Sequence, residues 1–483
     1  MNQYRSLVFR IVSQCVVPAL LVAALPRCAF AQLDRYELGK RVRACELEWD
    51  AHKAPGDHHR AVPKMQSAVM GFFSGQFAEV GKSLDAARFA LRSSGAPSAD
   101  DVWANSLSFV PEKRVIDTTQ MVLNYRVTQF YKTAGAMPAA ATVTVAISGP
   151  GSASGYVKVL ETRAITSVPA DCKLNLPGRA EGDYRLTFQV MVNGKQRATR
   201  ELTLSIVRNL SQRLAALQAS ISPAPMRTAG ATAANLCGLL TSLAKGDTFE
   251  TDYPAALLLA HAEAAAKAEA AGQEYFGRKV PGEYWLTLVN GEHKAHTRLL
   301  APATVGSGSP LPLVIALHGA GGSENMFFDS YGHGAIVELC RKRGWLLLAP
   351  RAEGGPTAAT ISEMIESLSA LYPVDRKQVF LVGHSMGAMQ GVGHINRKPE
   401  LFAGAALISG GGNLTASTKN LPIFVGVGAD DFAITMSRQL QAGLKKAQIE
   451  TSEYHEYPDC EHLFAVQVAL PDIFAFFDKI ARK

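Results

Sequence analysis

Residues 379–388 read Val-Phe-Leu-Val-Gly-His-Ser-Met-Gly-Ala, an apolar run that stops at a small-residue turn holding one serine. Gly383, Ser385 and Gly387 fill the three defining places of the G-x-S-x-G nucleophile elbow. A serine forced into a sharp turn between a buried strand and a helix projects its hydroxyl above the sheet. Glycines two positions either side leave room for the neighbouring backbone. The context the motif requires is present. Residues 379–382 are a fully apolar β-type run, and residues 386–396 carry small side chains (Gly387, Ala388, Gly391) that let a helix pack closely. Ser385 is therefore the expected nucleophile of an acyl-transfer site.

Such a serine needs a base to take its proton, an acid to orient that base, and N–H donors for the developing oxyanion. Behind an elbow, acid and base follow in the order Asp or Glu, then His, each on a loop after a strand. Residues 423–434 read Ile-Phe-Val-Gly-Val-Gly-Ala-Asp-Asp-Phe-Ala-Ile. Asp431 fits G-x-x-D-x-x-[IV] counted from Gly428 to Ile434, and Asp430 is the alternative, with turn capping as its other role. The strand expected at 452–457 is followed by Pro458-Asp-Cys-Glu-His462, which places His462 as the base. His455 competes in sequence but falls within the strand. For the oxyanion, Leu317-His-Gly-Ala-Gly-Gly322 follows the first central strand, and its glycines can turn backbone N–H groups toward a substrate. The expected donors are the backbone of Ala320 and of Met386. His318 and His384 are read as structural. Phe327, Phe328, Tyr331, Phe432 and Phe464 stand beside these loops as substrate-pocket candidates, with core packing as the competing role; Phe327 and Phe432 lead.

These residues need a scaffold. From about 276 the chain alternates strands and helices. A hairpin forms around Asn290-Gly291, and short buried-type strands follow at 313–317, 345–348, 379–382, 405–408 and 423–427. This is the pattern of an α/β domain with a doubly wound, mostly parallel sheet. Residues 33–93 read helical, with Phe72, Phe73, Phe77, Val80, Leu84 and Phe89 at helical spacing as a packing face. From 112 to 208 the period becomes two, with turns such as Asn193-Gly194, and a β-sandwich of immunoglobulin-like type is expected. Residues 209–273 return to helix, ending in an Ala-rich stretch that suits a semi-rigid spacer or a packed connector. The expected division is a signal at 1–31, a helical region at 32–111, the sandwich at 112–208, a helical connector at 209–275 and the catalytic domain at 276–483.

At 483 residues two or three domains are expected. The first 31 residues read as a signal peptide: basic Arg5 and Arg10, an apolar core at 11–25, and Ala29-Phe30-Ala31 as an A-x-A cleavage site. No other segment is long and apolar enough to span a bilayer, and the mature chain is expected in the periplasm or secreted. Losing Arg5, Arg10 and Arg27, with no acids, takes the net charge from +7 to +4. The basic residues are scattered, which speaks against a nucleic-acid partner. Cys45, Cys172, Cys237, Cys340 and Cys460 remain, which leaves room for one or two disulfides in an oxidising compartment with at least one thiol left over; Cys340 is read as a buried free thiol and Cys460 as a candidate brace for the His462 loop. No metal site or cofactor is expected: His58-His59 beside Asp57 is the best cluster, read as solvated surface.

Taken together, residues 312–322, 344–350, Val374-Asp-Arg376 leading into Gly383-His-Ser-Met-Gly-Ala388, and the late Asp and His resemble an α/β-hydrolase. The resemblance is closest to secreted esterases of the polyhydroxyalkanoate-depolymerase and feruloyl-esterase kind, and to catalytic domains of prolyl-oligopeptidase-type peptidases. It covers roughly the last 210 residues. It implies a Ser385–His462–Asp431 triad forming an acyl-enzyme, acting on a small-molecule or polymeric ester. The short segment between the strands at 405–408 and 423–427 leaves no room for a large cap, so the site is expected to be open or shaped by the N-terminal regions. A prolyl-oligopeptidase-type peptidase is the second reading, disfavoured because about 100 residues of strand cannot build a propeller. A catalytically inactive binding protein is the third.

Overall fold

The computed structural model describes residues 29–54, 56–149, 157–176, 178–222, 227–352, 355, 357–415, 418, 420–449 and 451–481. The signal expected at 1–31 lies outside the described residues up to Cys28. Four helices open the described chain: α1 (Ala29–Ala51), α2 (Asp57–Phe73), α3 (Phe77–Arg92) and α4 (Ala99–Ser106). Eight strands follow between Leu107 and Val207, in a three-stranded sheet ordered β1-β3-β6 and a five-stranded sheet ordered β2-β8-β7-β4-β5. They are β1 (Leu107–Pro111), β2 (Val115–Asp117), β3 (Val122–Gln129), β4 (Ala141–Ser148), β5 (Val157–Ala164), β6 (Ala170–Asn175), β7 (Gly182–Val192) and β8 (Lys195–Val207). The two sheets share one core, in which Phe109 of the first stacks on Phe188 of the second at 4.5 Å. Asn193 and Gly194 both adopt positive φ, the geometry of the tight β7–β8 turn.

Helices α5 (Leu210–Ser220), α6 (Thr228–Lys245) and α7 (Ala255–Ala270) come next. The Ala-rich α7 is a packed connector, with Ala255, Ala262 and Ala265 fully buried against α6. This layer also covers a sheet edge, because the Thr287 N–H donates to Thr232 Oγ1 on α6 at 2.9 Å.

The remainder forms an eight-stranded sheet ordered β16-β15-β14-β13-β11-β12-β10-β9. Its strands are β9 (Gly282–Asn290), β10 (His293–Ala301), β11 (Leu311–Leu317), β12 (Leu346–Pro350), β13 (Val374–His384), β14 (Gly404–Ile408), β15 (Ile423–Gly428) and β16 (Glu453–Tyr457). Pairing is antiparallel at β9–β10–β12 and parallel elsewhere. Period-two alternation explains why the central strands are apolar throughout. Leu313, Ile315, Leu381, Leu407 and Val425 face one core cluster, while Val314, Ala316, Val382, Ile408 and Phe424 face the other. Helices α9 (Ile361–Leu371), α10 (Met386–Arg397) and α11 (Ile434–Lys446) cover the first face; α8 (Tyr331–Arg343) and α12 (Ala465–Ala481) cover the second. The chain leaves β11 toward β12 on one side and reaches β13 on the other. The crevice beyond the carboxyl ends of β11 and β13 is thus the topological switch point, where a doubly wound sheet offers a ligand site.

The N-terminal helices pack on both other parts. Trp49 of α1 stacks on Phe464 at 4.6 Å, two residues after His462. On the sandwich side, fully buried Arg41 bonds Glu37 at 2.7 Å and Asp85 at 3.1 Å, and Asp85 also accepts from Tyr131 and Arg200. Buried ions are tolerated only with such partners, so this network fixes α1 and α3 in one register against the sandwich.

The described cysteines form none of the disulfides for which the sequence leaves room. All five described cysteines are free, including Cys460 beside the His462 loop. They are dispersed among three core clusters, and burial pushes the thiols of Cys45 and Cys340 well above the ordinary range, leaving them unreactive.

Candidate active site

Ser385 sits between β13 and α10 at φ 54°, ψ −114°, a conformation that costs a non-glycine residue of order 1–3 kcal/mol. The surroundings hold it there. Its N–H donates to Ile408 O at 2.9 Å, and the helix begins at the next residue. The flanking glycines serve close approach. A Cβ on Gly387 would lie 2.1 Å from Leu317 O, and one on Gly383 would lie 2.5 Å from Gly387 O.

The hydroxyl meets a histidine. His462 Nε2 lies 3.0 Å from Ser385 Oγ, and its Nδ1 lies 2.9 and 3.1 Å from the two Asp431 oxygens. A carboxylate only accepts, so Nδ1 carries the proton and Nε2 presents a lone pair to the serine O–H. Asp431 is almost fully buried and also accepts from the Ala433 N–H at 2.7 Å. Burial alone would raise its pKa; the facing imidazole and the hydrogen bonds outweigh burial and hold it below the usual value. For His462, burial pulls the pKa down and Asp431 pulls it up, with the carboxylate prevailing. Asp430 is turned elsewhere, its backbone bonding Cys460 O and Gln66 Nε2. His455 stays on β16, stacked on Phe424 at 4.8 Å.

The sign of the pH dependence follows. His462 must be neutral to accept a proton, and its pKa lies above the ordinary 6.5. Activity should therefore rise with pH through a midpoint above 6.5 and be lost on the acid side. A kcat/KM profile between pH 5 and 9 measures this, and an acid limb centred below 6 would contradict the geometry.

Residues 318–322 follow β11, paired beside the elbow by the Leu317–Gly383 register. Met386 is the first residue of α10, directly after Ser385. The Gly322 N–H closes a turn on Gly319 O at 3.2 Å around Ala320, and residues 319–322 line the same cavity as Ser385 and His462. His318 and His384 are held inside. His318 Nδ1–H donates to Gly319 O at 2.8 Å and Nε2 accepts from the Ala352 N–H at 3.1 Å. His384 Nε2–H donates to His462 O at 3.1 Å while Nδ1 accepts from the Tyr331 hydroxyl at 2.6 Å. Burial, helped by the nearby His462, pushes His384 down to about 3, so it stays neutral. Tyr331 opens a run of positive φ through Gly334. Its N–H donates to Glu46 of α1 at 2.9 Å, and burial pushes that carboxyl up to about 8. A chain of hydrogen bonds thus runs from α1 to the backbone of His462.

The space around the site, open solvent included, is about 1030 Å³. The wall that α2 contributes is where the sequence was not enough. Phe72 and Phe73, read as a packing face, line it: the last turn of α2 runs out over the glycine-rich loop after β11, and a Cβ on Gly321 would lie 2.6 Å from Phe72. Phe327 is a second correction. It is fully buried against Tyr331 at 4.8 Å, directed into the core and away from the cavity, and cannot touch a substrate. Phe328, Tyr331 and Phe464 are buried likewise. Phe432 is 38% exposed, its ring 4.4 Å from that of His462. His58 stacks on Trp49 at 3.6 Å and His59 meets Asp459 at 2.8 Å; no group of three or more His, Cys, Asp or Glu suited to a metal occurs among the described residues.

No known family model and no curated protein sequence matches the chain. Solved structures that it resembles include an S-formylglutathione hydrolase from Staphylococcus aureus, at 13% identity over 41% of this chain and 98% of that one, with a TM-score of 0.35. A ferulic acid esterase aligns at 15% identity over 40% of this chain and 96% of its own, TM-score 0.35. A thermostable esterase aligns at 14% identity over 78% of this chain and 99% of its own, TM-score 0.36. Likeness of this degree says nothing of the reaction.

Proposed function

We propose that the chain is a serine hydrolase of α/β-hydrolase type that cleaves carboxylic esters through an acyl-enzyme on Ser385. The observation that carries this reading is the continuous Asp431–His462–Ser385 hydrogen-bonded line, opening on a cavity that also holds the oxyanion loop. His462 Nε2 takes the hydroxyl proton as Ser385 Oγ bonds to the ester carbon. The carbonyl oxygen becomes an oxyanion facing the Ala320 and Met386 N–H groups. The imidazolium, steadied by Asp431, gives its proton to the departing alkoxide. Water then repeats the cycle and frees the acid. In this reading the signal at 1–31 sends the chain out of the cytoplasm, residues 276–483 are the catalytic domain, and the regions at 32–111, 112–208 and 209–275 support it.

Purified chain should hydrolyse short p-nitrophenyl esters, and an alkyl phosphonate should label the peptide bearing Ser385. Peptide substrates cleaved faster than any ester would replace this reading with the peptidase one.

A further inference from the structure

We propose that the acyl group accepted by Ser385 is an extended apolar chain, and that the N-terminal helices α1–α3, not the sheet domain, form its binding wall. This rests on the ester-hydrolase reading above. Opposite the oxyanion loop, the cavity is lined by Leu38 of α1, Ala68, Val69 and Phe72 of α2, and Val80 and Leu84 of α3. Four of these, Leu38, Ala68, Val80 and Leu84, form a small apolar cluster of their own, with Phe72 packed on it.

The charged groups at the same wall are already engaged. The Arg35 guanidinium donates to Gly321 O, and that of Arg43 donates to Glu250 O at 3.4 Å. The Glu250 carboxylate accepts from Ser323 and Asn325, and Asp329 from Arg298 and Thr251. What the wall offers a ligand is hydrocarbon, and seating an apolar chain against it takes that chain out of water.

The geometry also says which half of the ester goes there. His462 delivers the leaving-group proton, and its outer side carries Phe432, which meets Phe73 at 5.9 Å. Both rings are exposed, at 38% and 49%. The alcohol therefore departs at the mouth, and the enclosed side beneath α1–α3 is left to the acyl group.

The test is a series of p-nitrophenyl esters from acetate to decanoate, measured as kcat/KM on the full chain. Values should climb with acyl length, by up to about fourfold for each methylene buried, until the wall is filled. Ala68→Phe, which fills the wall, should lower the decanoate-to-acetate ratio at least tenfold; a ratio is insensitive to partial misfolding, and the wild-type series needs no variant. A flat or falling series, or preference for an acyl chain ending in a carboxylate over its neutral equal, would overturn the inference while leaving the hydrolase reading intact. Failure to turn over any ester would strike the hydrolase reading itself.

Discussion

Replacing Ser385 with alanine is expected to lower kcat on a short ester by about 10⁴- to 10⁶-fold, with the folded state retained. The magnitude follows from losing the covalent route: removing the nucleophile of a serine triad forfeits about 6–8 kcal/mol of barrier lowering, leaving only binding and oxyanion stabilisation. Stability should not fall. The hydroxyl contributes one hydrogen bond, to His462, and the strained backbone at φ 54° is held by the Ser385 N–H to Ile408 O contact and by the flanking glycines, which the substitution leaves in place. The measurement pairs ester turnover with thermal unfolding. An unchanged Tm with activity gone assigns the nucleophile; activity within tenfold of wild type would remove Ser385 from the reaction.

The second large effect separates two adjacent carboxylates. Asp431→Asn should cost about 10⁴-fold in kcat at neutral pH, because an amide can donate to His462 Nδ1 and so stabilise the tautomer with Nε2 protonated, which cannot accept from Ser385. It also removes the negative charge that keeps the His462 pKa up, so the residual activity should have its acid limb at lower pH. Asp430→Asn should stay within a few-fold of wild type, since Asp430 holds its neighbours through backbone atoms. Comparing the two pH profiles decides the matter, and a larger loss at Asp430 would move the acid by one position.

Ser385, His462 and Asp431, which the structure brings into one hydrogen-bonded line, were legible in the sequence because each stands in a short pattern whose local geometry does the positioning. Gly383 and Gly387 sit where a Cβ would strike backbone, so the elbow can be read without knowing what lies around it. The strand ending at Gly428 set the register for Asp431, and the strand ending at Tyr457 did so for His462. The helical wall of the cavity was not legible. Apolar residues at helical spacing look the same whether they seal a core or line a cavity, and Phe72 became a cavity residue only because α2 ends over Gly321, a contact between positions far apart in the chain. Phe327 erred in the opposite direction for the same reason: adjacency to a motif does not say which face of a short helical turn points inward. Free cysteines in place of disulfides are likewise a matter of which residues tertiary packing brings together.

The joining of α1 to the His462 loop has a consequence for how the chain is made. Gln467 bonds Asp50 across 417 positions, and Trp49 stacks on Phe464. Synthesis delivers the helical wall of the cavity early and His462 last, so the two meet only after nearly the whole chain exists. Contacts of such sequence separation make folding slow, and the apolar faces of α1–α3 must wait uncovered in the meantime. Turnover should thus be absent from every partial chain lacking the final strand and helix, and its onset would mark the last step of assembly.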